Sequence, residues 1–349
     1  MIHQTAYITL RKLYTDMNNI ENQILEQIKN SNSIVITSHK SPDGDSIGST
    51  LALAQFCKKF NKQVFICHPD PAPKFLRWVD GVNEIVTFEE NKDQVVKLFG
   101  EADLIFALDY NDPNRLGNEM AEVWNQSTAF KIMIDHHPNP SEFVNISWSD
   151  TTICSTSQLI FELIENTDSL ELLDEKIGTV IYLGIMTDTG SFRFNSVKPK
   201  THLVLAKLLE KGVKHDLIHE NVFDDNTLDK LKLRGYATSQ KLVLLDHYKT
   251  AYISLSQEEL NRFHHEKGDT EGLVNIALSI QGIKIAAFFS ENEKEIKISF
   301  RSKGNDYPVN KLASENFSGG GHANAAGGKY DGTLEKAIQK FISILPKYV

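Results

Sequence analysis

Residues 34–49 read IVITSHKSPDGDSIGS. The opening Ile34-Val35-Ile36-Thr37 is a short, nearly continuous apolar run rich in β-branched residues, which suits a strand buried on both faces. Directly after it, His39, Asp43 and Asp45 crowd into one turn around a single glycine. Two carboxylates that close repel, so the arrangement is costly unless a cation sits between them. Gly44 lets the turn pass between the acids, and Gly48 keeps the first turn of the following helix slim. The same motif of buried strand then helix recurs outward along the chain. Apolar strand candidates lie at 63–67, 103–108 and 130–134, with helical patterns between the first two strands and at 92–99 and 155–165. Such alternation predicts an open, parallel α/β sheet covered on both faces, preceded by an amphipathic helix at 18–29 carrying Ile20, Ile24, Leu25 and Ile28.

In such sheets ligands bind outside the carboxyl ends of the strands, where residues distant in sequence converge. The run ADLIFALD puts Asp109 at that rim, and FKIMIDHH puts Asp135, His136 and His137 there. A further apolar run, VIYLGIMTD, ends at Asp188. Singly, an Asp after a strand is ordinarily a turn residue or helix N-cap, and a rim His a hydrogen-bonded structural residue. Jointly, Asp43, Asp45, Asp109 and Asp188 with His39 and His136 would be an unpaired knot of negative charge without metal. Carboxylate and imidazole donors without thiolate suit Mn²⁺, and Mg²⁺ less well because of the histidines. Four acids and two histidines exceed what one ion needs. Two ions clamping the attacking and leaving oxygens of an in-line displacement account for them, and the chemistry expected is phosphoester hydrolysis.

At 349 residues the chain exceeds the size at which single cores stop growing, so two domains are expected. No segment approaches the ~20 consecutive apolar residues of a membrane span. The N-terminal MIHQTAYITLRKLYTDMNN lacks a signal-peptide pattern. Cys57, Cys67 and Cys154 form no C-x-x-C pair, which points away from disulfides and thiolate zinc and toward a cytoplasmic setting. A net charge of −9 opposes gripping long nucleic acid through many phosphates. The expected organisation is a catalytic domain at 1–197, a helical connector at 198–240 with Gly212 as a stop, and a smaller mixed-sheet α/β domain at 241–349. In that last domain IKIAAFFS and EIKISFRS, joined by polar ENEKE, predict an antiparallel hairpin.

Late in the chain, SGGGHANAAGG sets Gly319, Gly320 and Gly321 before His322. Consecutive glycines let backbone N–H groups approach an anion, although a bare triple glycine also suits a plain turn. Arg301, at the end of KISFRS, can engage two phosphate oxygens at once. Arg115 either contacts substrate or pairs with a nearby acid. Phe192 and Arg193 follow Asp188 closely enough to line the site, Phe192 as a base-stacking ring or as core. His264 and His265 read as solvated surface.

These motifs resemble those of the DHH-family phosphoesterases. HKSPDGDSIGS is similar to that family's first motif, LDYNDPNRLG to its second, IDHHPNP to the Asp-His-His motif that names it and GIMTDTGSF to its fourth, while FSGGGHANAAGG resembles the signature of the DHH-associated domain. The resemblance implies that His39 and Asp43 hold one Mn²⁺, that Asp45, His136 and Asp188 hold the other, and that Asp109 bridges them. Mg²⁺ or Co²⁺ are substitutes. It further implies that His137 faces the scissile phosphate as hydrogen-bond donor or general acid, and that Asp135 supports a neighbouring histidine or loop. Arg301 and the Gly319–His322 stretch would hold the substrate. The compact two-domain form is most similar to the nanoRNase/pAp phosphatase group, implying hydrolysis of di- to pentanucleotides of single-stranded RNA or DNA and of pAp, with no membrane partner. Monomer and homodimer, and either cleavage polarity, stay open. The alternatives are a dedicated phosphatase for pAp or for linear products of cyclic dinucleotides, and an idle nucleotide-binding sensor.

Overall fold

The computed structural model describes residues 19–266, 268–304 and 306–349; residues 1–18, including most of the stretch tested for a signal peptide, lie outside them. The chain divides into two compact units, Met1–Asp225 and Asn226–Val349.

In the first unit, helix α1 (Ile20–Asn30) leads into β1 (Ser33–Thr37), α2 (Gly44–Lys58), β2 (Gln63–His68) and the short β3 (Val86–Thr87). There follow α3 (Lys92–Glu101), β4 (Leu104–Leu108), α4 (Asn118–Gln126), β5 (Phe130–Asp135) and β6 (Ile146–Ser149). The unit ends with α5 (Thr156–Asn166), α6 (Glu175–Asp188), α7 (Pro199–Glu210) and α8 (His215–His219). The six strands are all parallel in the order β3-β2-β1-β4-β5-β6. The expected strands are present, and β3 and β6 extend the sheet at its edges. Both are short and carry few buried apolar residues, so period and hydrophobicity give little signal there.

Alternate strand residues serve opposite faces. Ile34, Ile36, Phe106 and Ile132 join the core beneath α1, α2, α5, α6 and α7, whereas Val35, Ile105 and Met133 join the one beneath α3 and α4. Each such side chain is fully buried, worth roughly 1.5–3 kcal/mol. This strand order reverses direction between β1 and β4, which opens a crevice at their carboxyl ends. The apolar run before Asp188 belongs to helix α6 rather than to the sheet, and α6 is buried on most sides.

The second unit contains α9 (Leu228–Gln240), β7 (Leu242–Leu245), β8 (Thr250–Leu255), α10 (Gln257–Arg262), α11 (Leu273–Ser279), β9 (Ile285–Glu291), β10 (Ile296–Ser302), α12 (Val309–Asn316), β11 (Gly320–His322), β12 (Ala325–Tyr330) and α13 (Leu334–Ile344). Its sheet runs β11-β12-β10-β9-β8-β7, with β8 and β9 parallel and the other pairs antiparallel, including the expected β9–β10 hairpin. The helical stretch 198–240 is divided between the units. Val204, Leu205 and Leu208 of α7 pack into the first core, and Leu233 and Ala237 of α9 into a core of the second. Among the described residues no helix is long and apolar enough to cross a membrane.

Candidate metal centre

The crevice between β1 and β4 is drawn together by side chains at the two strand ends. Thr37 Oγ1 donates to the Phe106 carbonyl at 2.8 Å, and Ser38 Oγ donates to that of Leu108 at 2.8 Å. His39 follows, its Nδ1 on the Lys40 carbonyl at 2.9 Å, which turns Nε2 toward the crevice. Asp43 caps α2: its Oδ1 accepts from the Asp45 and Ser46 N–H groups at 3.1 and 3.0 Å. Asp45, on the first turn of α2, is buried, and so is Asp109 just past β4. The Asp109 backbone sits at φ +64°, a left-handed conformation that few non-glycine residues adopt, and its N–H donates to the Ile134 carbonyl.

Two glycines bring α6, and with it Asp188, against α2. A Cβ on Gly48 would lie 2.5 Å from the Val180 carbonyl oxygen, and one on Gly184 would lie 1.9 Å from Ser157 Oγ and 2.7 Å from Asp45 Oδ1. Gly48 therefore slims α2 where it meets the α6 backbone.

The two oxygens of Asp109 face different partners. Oδ2 lies 3.4 Å from His39 Nε2, which is 3.8 Å from Asp43 Oδ2. Oδ1 lies 3.5 Å from His136 Nε2, which is in turn 3.5 Å from Asp188 Oδ2 and 4.0 Å from Asp45 Oδ2. His39, Asp43 and Asp109 form one group whose ligand atoms lie within 4.8 Å of one another, and Asp45, His136 and Asp188 form another. Asp109, His136 and His137 make a third combination of the same kind. His137 is tied back by Asp135: Nδ1 lies 2.7 Å from Asp135 Oδ1, and the His137 N–H donates to Asp135 Oδ2.

The charges are strongly perturbed. Burial alone would lower the histidine pKa values, but neighbouring carboxylates outweigh it. Asp109 and Asp43 raise His39 to about 9; Asp109, Asp188 and Asp45 raise His136 to about 10. Burial works to raise Asp109 as well, yet bonds from His136 and His39 hold it well below the usual carboxylate range. Burial, then Asp109 and Asp188, push Asp45 well above that range. Burial, partly offset by His136 and reinforced by Asp109 and Asp43, brings Asp188 to about 7. Behind His39, burial first and the His39 charge second lower His68 to about 3, so a neutral imidazole backs the crevice.

The donor set is oxygen and imidazole nitrogen only, gathered around carboxylates that repel one another. It fits hard or borderline divalent cations of the Mn²⁺ or Mg²⁺ kind. The exposed Arg115 is near enough to oppose the protonation of His39, and its carbonyl accepts the Lys40 N–H at 2.8 Å. Phe192 packs its ring against Tyr182 and His219, and Arg193 Nε donates to the Gly190 carbonyl, so both are accounted for locally. The helix expected at 155–165 is present as α5, but the sequence reading gave its start no role in the site. The Thr156 and Ser157 N–H groups donate to Asp45 Oδ2 and Oδ1 at 2.6 and 2.8 Å, and Thr156 Oγ1 donates to Asp109 Oδ1 at 3.1 Å. Its signal is the small polar run CSTSQ with Ser155 as N-cap.

The remaining expected residues lie in the second unit and form a group of their own. Half-buried Arg301 on β10 is in register with Ala325 on β12, which is in register with His322 on β11. The glycine stretch is a β-hairpin rather than a loose loop, for packing reasons. A Cβ on Gly319 would meet the Gly327 carbonyl oxygen at 2.0 Å, one on Gly321 the Ala325 carbonyl oxygen at 2.6 Å, and one on Gly328 the Phe317 side chain at 2.8 Å. Gly320 and Gly327 are not crowded in this way. His264 is exposed beyond the end of α10 with Nδ1 3.0 Å from Asp229 Oδ2, and His265 also follows that helix.

Comparison with known proteins follows the same division. Residues 33–185 match the DHH family, N-terminal domain, and residues 248–349 match the DHHA1 domain. A bifunctional oligoribonuclease and PAP phosphatase NrnA of Thermus thermophilus is 30% identical over 310 residues, covering 88% of each chain. The protein of that name from Bacillus subtilis is 27% identical over 312 residues, covering 88% of this chain and 92% of its own. The crystal structure of an exopolyphosphatase-related protein from Bacteroides fragilis is 40% identical, covers 94% of this chain and 96% of its own, and superposes with a TM-score of 0.91.

Proposed function

The chain belongs to the DHH family and is a phosphoric ester hydrolase; from that premise we propose that it cleaves short single-stranded oligonucleotides to mononucleotides and dephosphorylates pAp. The relatives named for both activities span almost the same length, which supports this choice over the dedicated phosphatase or the sensor.

The observation that carries the reading is Asp109, whose two carboxylate oxygens face two separate donor groups. On this proposal His39 and Asp43 would hold one Mn²⁺, Asp45, His136 and Asp188 would hold another, and Asp109 would serve both. Bound there, such ions neutralise charge on the phosphoryl group and make water more acidic. The protein's own residues orient and exchange protons. Asp135 fixes the His137 ring through Nδ1, so proton exchange with a phosphoryl or leaving oxygen falls to Nε2. Arg115 offers an exposed cation beside the His39 group for a phosphate. In the second unit, Arg301 and the Gly319–His322 stretch are proposed to bind substrate. Substrates are short, on this reading, because a net charge of −9 disfavours a long phosphate track.

The test is product analysis on 5′-labelled and 3′-labelled dinucleotides, pentanucleotides, a long single strand and pAp, each with Mn²⁺ or Mg²⁺. Release of mononucleotides from the short substrates and of phosphate from pAp is expected. Equal rates on long strands and dinucleotides would remove the size limit, and full activity in Asp109→Ala would remove the site assignment.

A further inference from the structure

Thr156 touches two of the three carboxylate oxygens that face His136. Its N–H donates to Asp45 Oδ2 and its hydroxyl to Asp109 Oδ1, at 2.6 and 3.1 Å. Those same oxygens lie 4.0 and 3.5 Å from His136 Nε2. The opposite edge of the cluster is built differently, with Asp109 Oδ2 and Asp43 Oδ2 facing His39. Thr156 is fully buried at the first position of α5, where the Ser155 hydroxyl accepts the Gln158 N–H and fixes the helix start. Asp109 stands on a left-handed backbone at φ +64°, past the end of its strand, so the strand ladder alone does not fix its side chain. A hydroxyl that occupies one lone pair of Oδ1 decides which lone pair is presented to a ligand.

We infer that Thr156 is a positioning residue for one cation position only, the one formed by Asp45, His136, Asp188 and Asp109 Oδ1. The inference rests on the metal-centre reading above. Its amide serves Asp45 whatever the side chain is, so the hydroxyl is the separable part. Thr156→Val removes that hydroxyl at nearly constant shape and keeps the N–H, whereas Thr156→Ser keeps both.

The experiment is calorimetric titration of Mn²⁺ into the chelator-treated full chain, for wild type, Thr156→Val and Thr156→Ser, with melting of each metal-free protein alongside. Wild type should show two binding events. In Thr156→Val one of them should weaken by ~10–100-fold, the range for losing a group that orients a metal ligand, while the other stays within about threefold. Thr156→Ser should restore the weakened event to within about threefold of wild type. Thr156→Ala provides the same loss of hydroxyl without added bulk if the valine variant does not fold. Unchanged affinities in the hydroxyl-free variant overturn the inference, as do equal weakening of both events and a serine variant as weak as valine. Wild type that takes up no Mn²⁺ overturns the metal-centre reading and this inference with it, an outcome distinct from the other three.

Discussion

Metal uptake by this cluster is expected to expel protons, and the structure sets how many. In the metal-free protein His39, at about 9, and His136, at about 10, are almost fully protonated at pH 7.5, because burial is outweighed by the facing carboxylates. Asp188, at about 7, carries a proton in roughly a quarter of molecules at that pH. Asp45, raised well above the carboxylate range by burial and by Asp109 and Asp188, adds a further share, while Asp109 adds none. A bound cation requires neutral imidazoles and ionised carboxylates, so filling both positions should release about two to three protons. The sign follows: protons compete with metal, and the apparent affinity falls as pH drops. The assay is Mn²⁺ titration calorimetry at pH 7.5 in PIPES and in Tris, whose ionisation enthalpies differ; the slope of observed enthalpy against ionisation enthalpy gives the proton count. His136→Gln should release about one proton fewer than wild type. Saturable uptake with less than one proton released would refute the reasoning, because it would mean that neither imidazole gives up a proton to the ions.

Three further outcomes follow from the same structure. The metal-free protein should lose stability as pH rises from 6.5 through about 10, because folded His39 and His136 keep protons that the unfolded chain has shed; urea melts should show the loss without Mn²⁺ and much less of it with Mn²⁺. Each such histidine contributes roughly 1.4 kcal/mol for every pH unit over which it is protonated only in the folded state, so several kcal/mol are at stake, and a flat profile would contradict the charge assignment. Gly184→Ala, whose Cβ would sit 1.9 Å from Ser157 Oγ and 2.7 Å from Asp45 Oδ1, should cost about 1–3 kcal/mol in urea unfolding and weaken Mn²⁺ uptake; wild-type values for both would mean that α6 has room to move. Arg301→Lys keeps the charge but loses the two-pronged guanidinium, so KM for dinucleotides should rise by roughly tenfold with kcat changed far less, and an unchanged KM would remove Arg301 from substrate binding.

The parallel sheet was legible because buried strands must be apolar throughout and their connecting turns cannot be, so charge accumulates visibly where each strand stops. That is why Asp43, Asp45, Asp109 and His136 could be read as one rim. Asp188 was harder to place. Its run is apolar for seven residues, Val180 to Met186, because α6 is buried on most sides, and a helix buried all round has no amphipathic stripe to declare itself. The role of the α5 start went unread for a different reason. Thr156 and Ser157 act through backbone N–H groups and one hydroxyl, and any residue can supply an N–H, so the sequence carries only the faint mark of a cap. In the second unit the glycines advertised an anion loop, and two of them are also required by a hairpin packed backbone to backbone and a third by the Phe317 side chain.

The perturbed charges also explain how such a cluster can fold before it meets a metal. Near pH 7 the protonated His39 and His136 offset the Asp109 anion in the metal-free crevice, and Asp45 and Asp188 are both shifted toward their neutral forms. On the proposed reading, two divalent cations would stand against four carboxylates and two neutral imidazoles. The protons that leave would therefore offset part of the charge that metal ions bring, which lessens the cost of burying uncompensated charge in either state. Asp109 is what makes the exchange work: it is the one carboxylate here held well below its ordinary range, because both imidazoles bond to it. It remains an anion in both states, with one oxygen turned to each half of the site.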